Sequence, residues 1–320
     1  MRCPRCQAPV SAEARFCEQC GVRLTADASG LHQRALDLYH RGQIDEALAL
    51  WDEAVVLQPD LSLGHYYRGM ALYDRGDLTE AVEAFRRALD GAEDAFRVLF
   101  KLGMAQYGMG DLAGSIVSYR KALEINPGSA ETHYRLGLAH LRRSDLEQAR
   151  AALDEAIRIN PKYTRALFIL GMVYSQQGDT GRAIDQFRQV VEVSPGYTAA
   201  LFELGMALYR EARLDEAADV FARAAEHSPR FAPARYMLGE ARRKNHDPEG
   251  AIAAYREALA LNPRDLDSWL RVAECRLQQG RLSEARQALD EAAAVQPDSP
   301  DVRYLERLLD EKGGSSADKN

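Results

Sequence analysis

Residues 164–197 read TRALFILGMVYSQQGDTGRAIDQFRQVVEVSPGY. Around Gly178-Asp179, apolar and small residues recur at offsets of three and four: Leu167, Leu170, Gly171 and Tyr174 before it, Ala183, Phe187 and Val190 after it. Such offsets put side chains on one face of a helix, so the stretch predicts two amphipathic helices joined by a tight turn. Asp179 is placed to cap the second helix, its carboxylate accepting from first-turn N–H groups. Pro195 ends that helix, because proline lacks an N–H and restricts the residue before it.

The pattern runs outward in both directions with a period of 34. Alanine recurs at 47, 81, 149, 183, 217, 251 and 285, with Ser115 completing the series. Four residues on stands a large side chain: Trp51, Phe85, Tyr119, Leu153, Phe187, Phe221, Tyr255 or Leu289. Twelve residues before each member of the alanine series sits a glycine, or alanine at Ala35 and Ala273. Proline closes seven of eight units, and Glu93 takes its place in the second, where Gly91 is expected to end the helix instead. Small residues let helices approach closely, and the large residue fills the space between them. A fixed period of this length is the signature of a solenoid whose units cover one another's apolar faces.

These residues resemble the tetratricopeptide (TPR) repeat, W-x2-L-G-x2-Y, then A-x3-F, then P over 34 residues. Unit five carries it as Leu167, Leu170, Gly171, Tyr174, Ala183, Phe187 and Pro195, and Trp269 holds the tryptophan place of the last unit. The resemblance covers eight consecutive units, 28–299, and departs locally where Arg34 and Arg68 replace an apolar residue. It implies an all-α, right-handed superhelical solenoid of eight helix-turn-helix repeats. Residues 300–312 are expected to form a capping helix, with Val302, Leu305 and Leu309 over the last apolar face. The Gly/Ser-rich tail 313–320 is expected to be disordered. A short polar tether, 25–30, overlapping the first helix, precedes the repeats.

Four of the 5 cysteines fall in the first 24 residues, MRCPRCQAPVSAEARFCEQCGVRL. Cys3-x2-Cys6 and Cys17-x2-Cys20 form the two-knuckle spacing of a tetrahedral four-cysteine zinc site. A redox dithiol or paired disulfides compete with that reading, but a thioredoxin-like motif needs a βαβ context that is absent. So short a stretch has no core of its own, and metal ligation can supply its folding free energy. The segment is similar to the zinc-ribbon heads at the start of many bacterial multidomain proteins. One structural zinc ion is expected, with four thiolates and no open position. Cys275, inside a helix of unit eight, is expected to be a packing thiol.

The remaining composition narrows the function. A length of 320 residues suggests about two domains at ~150 residues each. Against 41 basic residues stand 48 acidic ones, a net charge of −7, which argues against a generic nucleic-acid binder. Mean hydropathy is −0.38, and no apolar run nears the ~20 residues of a membrane span. Behind Met1-Arg2-Cys3-Pro4 there is no apolar h-region, so no secretory signal and a soluble, cytoplasmic protein are expected. The seven histidines lack metal-like spacing, and phosphate-loop, dinucleotide, nucleophile-elbow and calcium-loop patterns are absent. No enzyme is nominated.

In the TPR family, positions 2, 5, 9 and 12 of each unit line the concave face, and the resemblance carries that assignment here. Position 5 supplies Tyr66, Phe100, Tyr134, Phe168 and Phe202; position 9 supplies Met70, Met104, Met172 and Met206; position 12 supplies Tyr73, Tyr107 and Tyr209. Family members that clamp a peptide backbone more often carry asparagine at position 9. Methionines beside aromatics make an adaptable apolar surface, unless neighbouring helices simply cover them. In units three to seven the first helices sum to +7 and the second helices to −7, with Arg97, Lys101, Arg135 and Arg165 near the groove. The expected client is a protein or peptide segment, apolar with acidic flanks. Two rivals are a nucleic-acid-linked regulator acting through the ribbon and an accessory subunit of an envelope or secretion assembly. Arg2, Arg5, Arg15 and Arg23 against Glu13 and Glu18 give the ribbon only +2, which a zinc–thiolate centre cancels.

Overall fold

The computed structural model describes residues 6, 8–10, 16–20 and 27–317. The chain divides into two compact units, Met1–Pro161 and Lys162–Asn320. In the first, α1 (Ala28–His40), α2 (Ile44–Leu57), α3 (Ser62–Arg75), α4 (Leu78–Leu89), α5 (Ala95–Met109), α6 (Leu112–Ile125), α7 (Ala130–Arg142) and α8 (Leu146–Ile159) form four helical hairpins, repeats one to four. In the second, α9 (Thr164–Gln176), α10 (Thr180–Val193), α11 (Thr198–Arg210), α12 (Leu214–His227), α13 (Ala232–Lys244), α14 (Pro248–Leu261), α15 (Leu266–Gln278) and α16 (Leu282–Val295) form repeats five to eight, and α17 (Pro300–Ala317) follows. Outside helices, Pro9 and Phe16 hold isolated β-bridge positions.

The large landmark of every hairpin is sealed inside it. Trp51, Phe85, Leu153, Phe187, Phe221, Tyr255 and Leu289 are wholly inaccessible and Tyr119 nearly so. In repeats two to seven it lies against the glycine of its own first helix, where a Cβ would collide with the ring or with Leu153. Ser115, the one exception to alanine, donates its hydroxyl to the Leu112 carbonyl oxygen at 2.9 Å, so its polarity is satisfied. Truncating any of these large residues would cost about 3–5 kcal/mol.

The fourth position of several units serves the loop before it. His65 Nε2 lies 2.9 Å from the Pro59 carbonyl oxygen, and His133 Nε2 lies 3.1 Å from that of Pro127. Trp269 Nε1 donates to the Pro263 carbonyl at 3.0 Å. Tryptophan and histidine exchange at this place because a ring N–H is what the carbonyl needs. This is a packing role for two of the histidines.

Helix termini follow the expectation in part. Asp111 and Asp179 accept from the N–H groups of Gly114 at 2.9 Å and Arg182 at 3.1 Å. Asp77 and Asp145 make no such bond; Asp77 instead pairs with Arg75, and Asp145 with His140 and Arg143. The first-helix stop is a left-handed residue whose identity varies: Gly76 and Gly178 in some units, Ser144, Ala212 and His246 in others.

The first helix begins at Ala28, with Asp27 as its cap, so the tether overlaps it over residues 28–30. One boundary differs from expectation: the last helix runs to Ala317, past 312 and into the segment expected to be disordered, while the expected capping residues Val302, Leu305 and Leu309 are all buried. In repeat two α4 stops at Leu89 with Asp90 as its cap, and Gly91, the glycine expected to end this helix, follows in the left-handed conformation with a φ of +84°.

Candidate metal centre and binding face

The described part of the N-terminal segment has a small core of Ala8 and Cys17, flanked by Val10 and Cys20. Sulfur atoms of Cys6, Cys17 and Cys20 lie within 4.8 Å of one another. The Cys6 and Cys17 sulfurs are 3.6 Å apart. A disulfide needs about 2.05 Å. Four thiolates at ~2.3 Å from one zinc ion stand about 3.8 Å apart, so these three sulfurs fit three corners of a tetrahedron. Soft sulfur donors favour zinc over hard cations. Cys3, the fourth expected ligand, lies outside the described residues, as do Arg2, Arg5, Glu13, Arg15, Gly21 and Arg23. Cys275 is wholly buried within α15, and burial pushes its thiol up to about 11, which keeps it protonated and unreactive.

The first-helix face is built differently from its linear pattern. Position 5 turns back into its own hairpin. In the Met1–Pro161 unit, Tyr66 and Tyr134 are buried; the Tyr66 ring lies 6.0 Å from Phe85, and Phe100 lies 6.1 Å from Tyr119. In the Lys162–Asn320 unit, Phe168 meets Phe187 at 5.8 Å and Phe202 meets Phe221 at 5.7 Å. Such aromatic pairs stabilise the hairpin beyond their buried area. Position 9 does stay accessible: Met70, Met104, Met172 and Met206 are all half-buried.

Position 12 is half-buried at Tyr73, Tyr107 and Tyr209. A cation from the next repeat covers two of these rings, Arg142 at 5.2 Å over Tyr107 and Lys244 at 4.2 Å over Tyr209. The positive bias is largely met locally as well. Arg97 pairs with Asp94 at 3.3 Å, Arg135 with Glu131 at 2.7 Å, and Arg165 stands over the Tyr163 ring at 5.6 Å. Lys101 is half-buried. Counting charges along the chain could not reveal these pairings, since they depend on rotamers and helix register.

Toward the end of the second unit the face becomes ionic. Glu240, at position 9 of repeat seven, is buried and accepts from Tyr255 at 2.6 Å and from Arg243 at 2.9 Å, with Arg271 at 3.2 Å. Burial alone would raise its pKa, but the bonds from Arg243 and Tyr255 and the Arg271 charge outweigh it and hold the carboxyl below its usual value. Arg271 also reaches Glu274 at 2.8 Å. Within this unit position 9 therefore changes after Met206 from methionine to a closed salt-bridge network.

Models of the tetratricopeptide repeat match residues 32–97, 100–164, 165–233 and 242–309, and a model of the zinc-ribbon domain matches residues 2–23. No curated protein matches the chain. Among solved structures, the C-terminal part of a TPR repeat-containing protein from Cytophaga hutchinsonii is similar at 16% identity and a TM-score of 0.65, over 74% of this chain and 97% of that one. The MamA protein is similar at 27% identity and a TM-score of 0.51, over 55% and 96%. YrrB, described as a TPR protein with an unusual peptide-binding site, is similar at 20% identity and a TM-score of 0.54, over 59% and 97%. Among the described residues no helix is long and apolar enough to cross a membrane.

Proposed function

From the premise that the chain belongs to the tetratricopeptide-repeat family and carries an N-terminal zinc-ribbon domain, we propose that it is a non-enzymatic scaffold holding a segment of a partner protein on its first-helix face. The observation that carries this reading is that methionine at position 9 stays half-buried rather than sealed, at Met70 and Met104 within one unit and at Met172 and Met206 within the other. A methionine that only filled a core gap would be sealed as the landmark rings are. Flexible thioethers beside tyrosine edges suit an apolar segment of variable shape. YrrB's peptide-binding site, on the same kind of fold, supports the class of ligand.

Acidic flanks on the client are a second element of the proposal. They rest on Lys101, with Arg97, Arg135 and Arg165 contributing once their present partners exchange for the client's carboxylates. The ribbon, held by Cys3, Cys6, Cys17 and Cys20 on one zinc ion, is structural in this reading. The test is capture of a client by the full chain, followed by Met104→Glu and Met172→Glu. Each places a carboxylate at position 9 and is expected to weaken binding at least ~10-fold, about 1.4 kcal/mol, while the helical circular dichroism stays unchanged. Arg97→Ala is expected to act mildly and mainly at low salt. A client that tolerates both methionine changes, yet is lost on deletion of residues 1–24, would move the site to the ribbon.

A further inference from the structure

The joint between repeats two and three is set differently from the others, and it opens a cavity. In repeats one, three and four the second helix ends at Leu57, Ile125 and Ile159, the same place in each unit; α4 ends two residues earlier, at Leu89. The chain then crosses Gly91 and enters α5 with Asp94 as its cap. Between this loop and the start of α3 lies a cavity of about 400 Å³ lined by Leu61, Leu63, Tyr66, Ala92, Arg97 and Val98. Leu63 is 54% exposed at its mouth.

Repeats five and six show what this place can hold. Twenty-nine residues after its position-5 ring, repeat five has Tyr197, 5.3 Å from Phe168, and repeat six has Phe231, 5.2 Å from Phe202. In repeat three that place is Ser129, and Phe96 stacks on Phe100 at 6.4 Å instead. In repeat two it is Ala95, and no ring from the following loop covers Tyr66 on this side. The rim carries Asp60, Glu93, Asp94 and Arg97. Three carboxylates against one guanidinium leave it negative.

We propose that this cavity seats an aromatic side chain of a partner segment, carried beside a basic residue, in the place that the chain's own Tyr197 and Phe231 fill in repeats five and six. It rests on the scaffold reading above and adds an anchor to it. The cavity falls within the ~300–1,000 Å³ of small-ligand sites, large enough for one ring and too small for a folded element. A ring entering it gains with Tyr66 the kind of ring contact that Tyr197 makes with Phe168 and Phe231 with Phe202, and a neighbouring lysine or arginine meets the acidic rim.

The test uses the full chain with labelled leucine, valine and methionine methyl groups, titrated by N-acetyl-Phe-Lys-amide, N-acetyl-Phe-Glu-amide and N-acetyl-Leu-Lys-amide. The Phe-Lys probe is expected to bind with a millimolar dissociation constant and to shift the methyl signals of Leu61, Leu63 and Val98 but not Met104. The Phe-Glu and Leu-Lys probes are expected to bind at least threefold more weakly. Ala92→Phe, which fills the cavity from within, and Leu63→Asp, at an exposed site that leaves folding intact, are each expected to abolish the shifts. Absence of those shifts, their persistence in Leu63→Asp, or equal binding of the three probes would overturn the proposal. A captured client weakened by Met104→Glu but indifferent to Leu63→Asp would remove the anchor and leave the scaffold. Probe binding together with a client indifferent to Met104→Glu would do the reverse.

Discussion

Gly171 lies against the face of Phe187 so closely that a Cβ at residue 171 would stand 2.6 Å from Cε1 and 2.8 Å from Cδ1 of that ring. The ring is wholly buried and cannot retreat. Gly171→Leu is therefore expected to cost about 2 kcal/mol or more through overpacking. Glu192→Gln, at an exposed position of α10, is expected to cost less than ~0.5 kcal/mol. Denaturant titrations of the two variants give the comparison, and equal midpoints would contradict the assigned register.

The left-handed stop of α11 falls on Ala212, with a φ of +57°, where repeats two and five place glycine. An alanine Cβ crowds the backbone in that region, and glycine removes the crowding at the expense of a more flexible unfolded chain. Ala212→Gly is expected to stabilise the protein by about 0.5 kcal/mol net. A lowered thermal midpoint would mean that the turn is held by something other than local backbone geometry.

One zinc ion per chain is expected after purification without added metal, measured by elemental analysis. Cys17 is the most deeply buried of the three described sulfurs, so Cys17→Ser is expected to release the ion. The helical circular dichroism should survive, because each repeat is stabilised by its nearest neighbours rather than by the head. Loss of helix along with the metal would show that the head and repeats fold as one.

The ring of His32 accepts a hydrogen bond at Nδ1 from Trp51 Nε1, at 3.0 Å, which requires an unprotonated nitrogen there. Burial lowers the His32 pKa below 6.5, and burial likewise lowers that of His140 despite its bond to Asp145. As pH falls through about 6.5 the unfolded chain takes up protons that the folded chain refuses, so stability falls until the lower folded pKa is reached. Thermal melts between pH 7.5 and 5.5 are expected to show this loss. His32→Gln keeps an acceptor for Trp51 and does not titrate, so its loss should be smaller; an identical pH slope would rule His32 out as a source.

What the chain determined by itself was the doubled CxxC and everything carried by the 34-residue period: two helices per unit, the small positions at Gly171 and Ala183, the sealed ring at Phe187 and the proline stops. Each is a local rule repeated, and repetition makes a local rule legible. What only tertiary structure decided depends on which side chain reaches which. Position 5 turned out to clamp its own hairpin, the cations Arg97 and Arg135 found carboxylates one turn away, and Glu240 closed a network with Arg243 and Arg271. The early end of α4 likewise opened space beside Tyr66, where a missing proline had suggested only a different stop. Periodicity assigns a residue to a face of its helix, but whether that face meets solvent, a ring or a counter-charge is settled by rotamers and loop geometry that no period encodes.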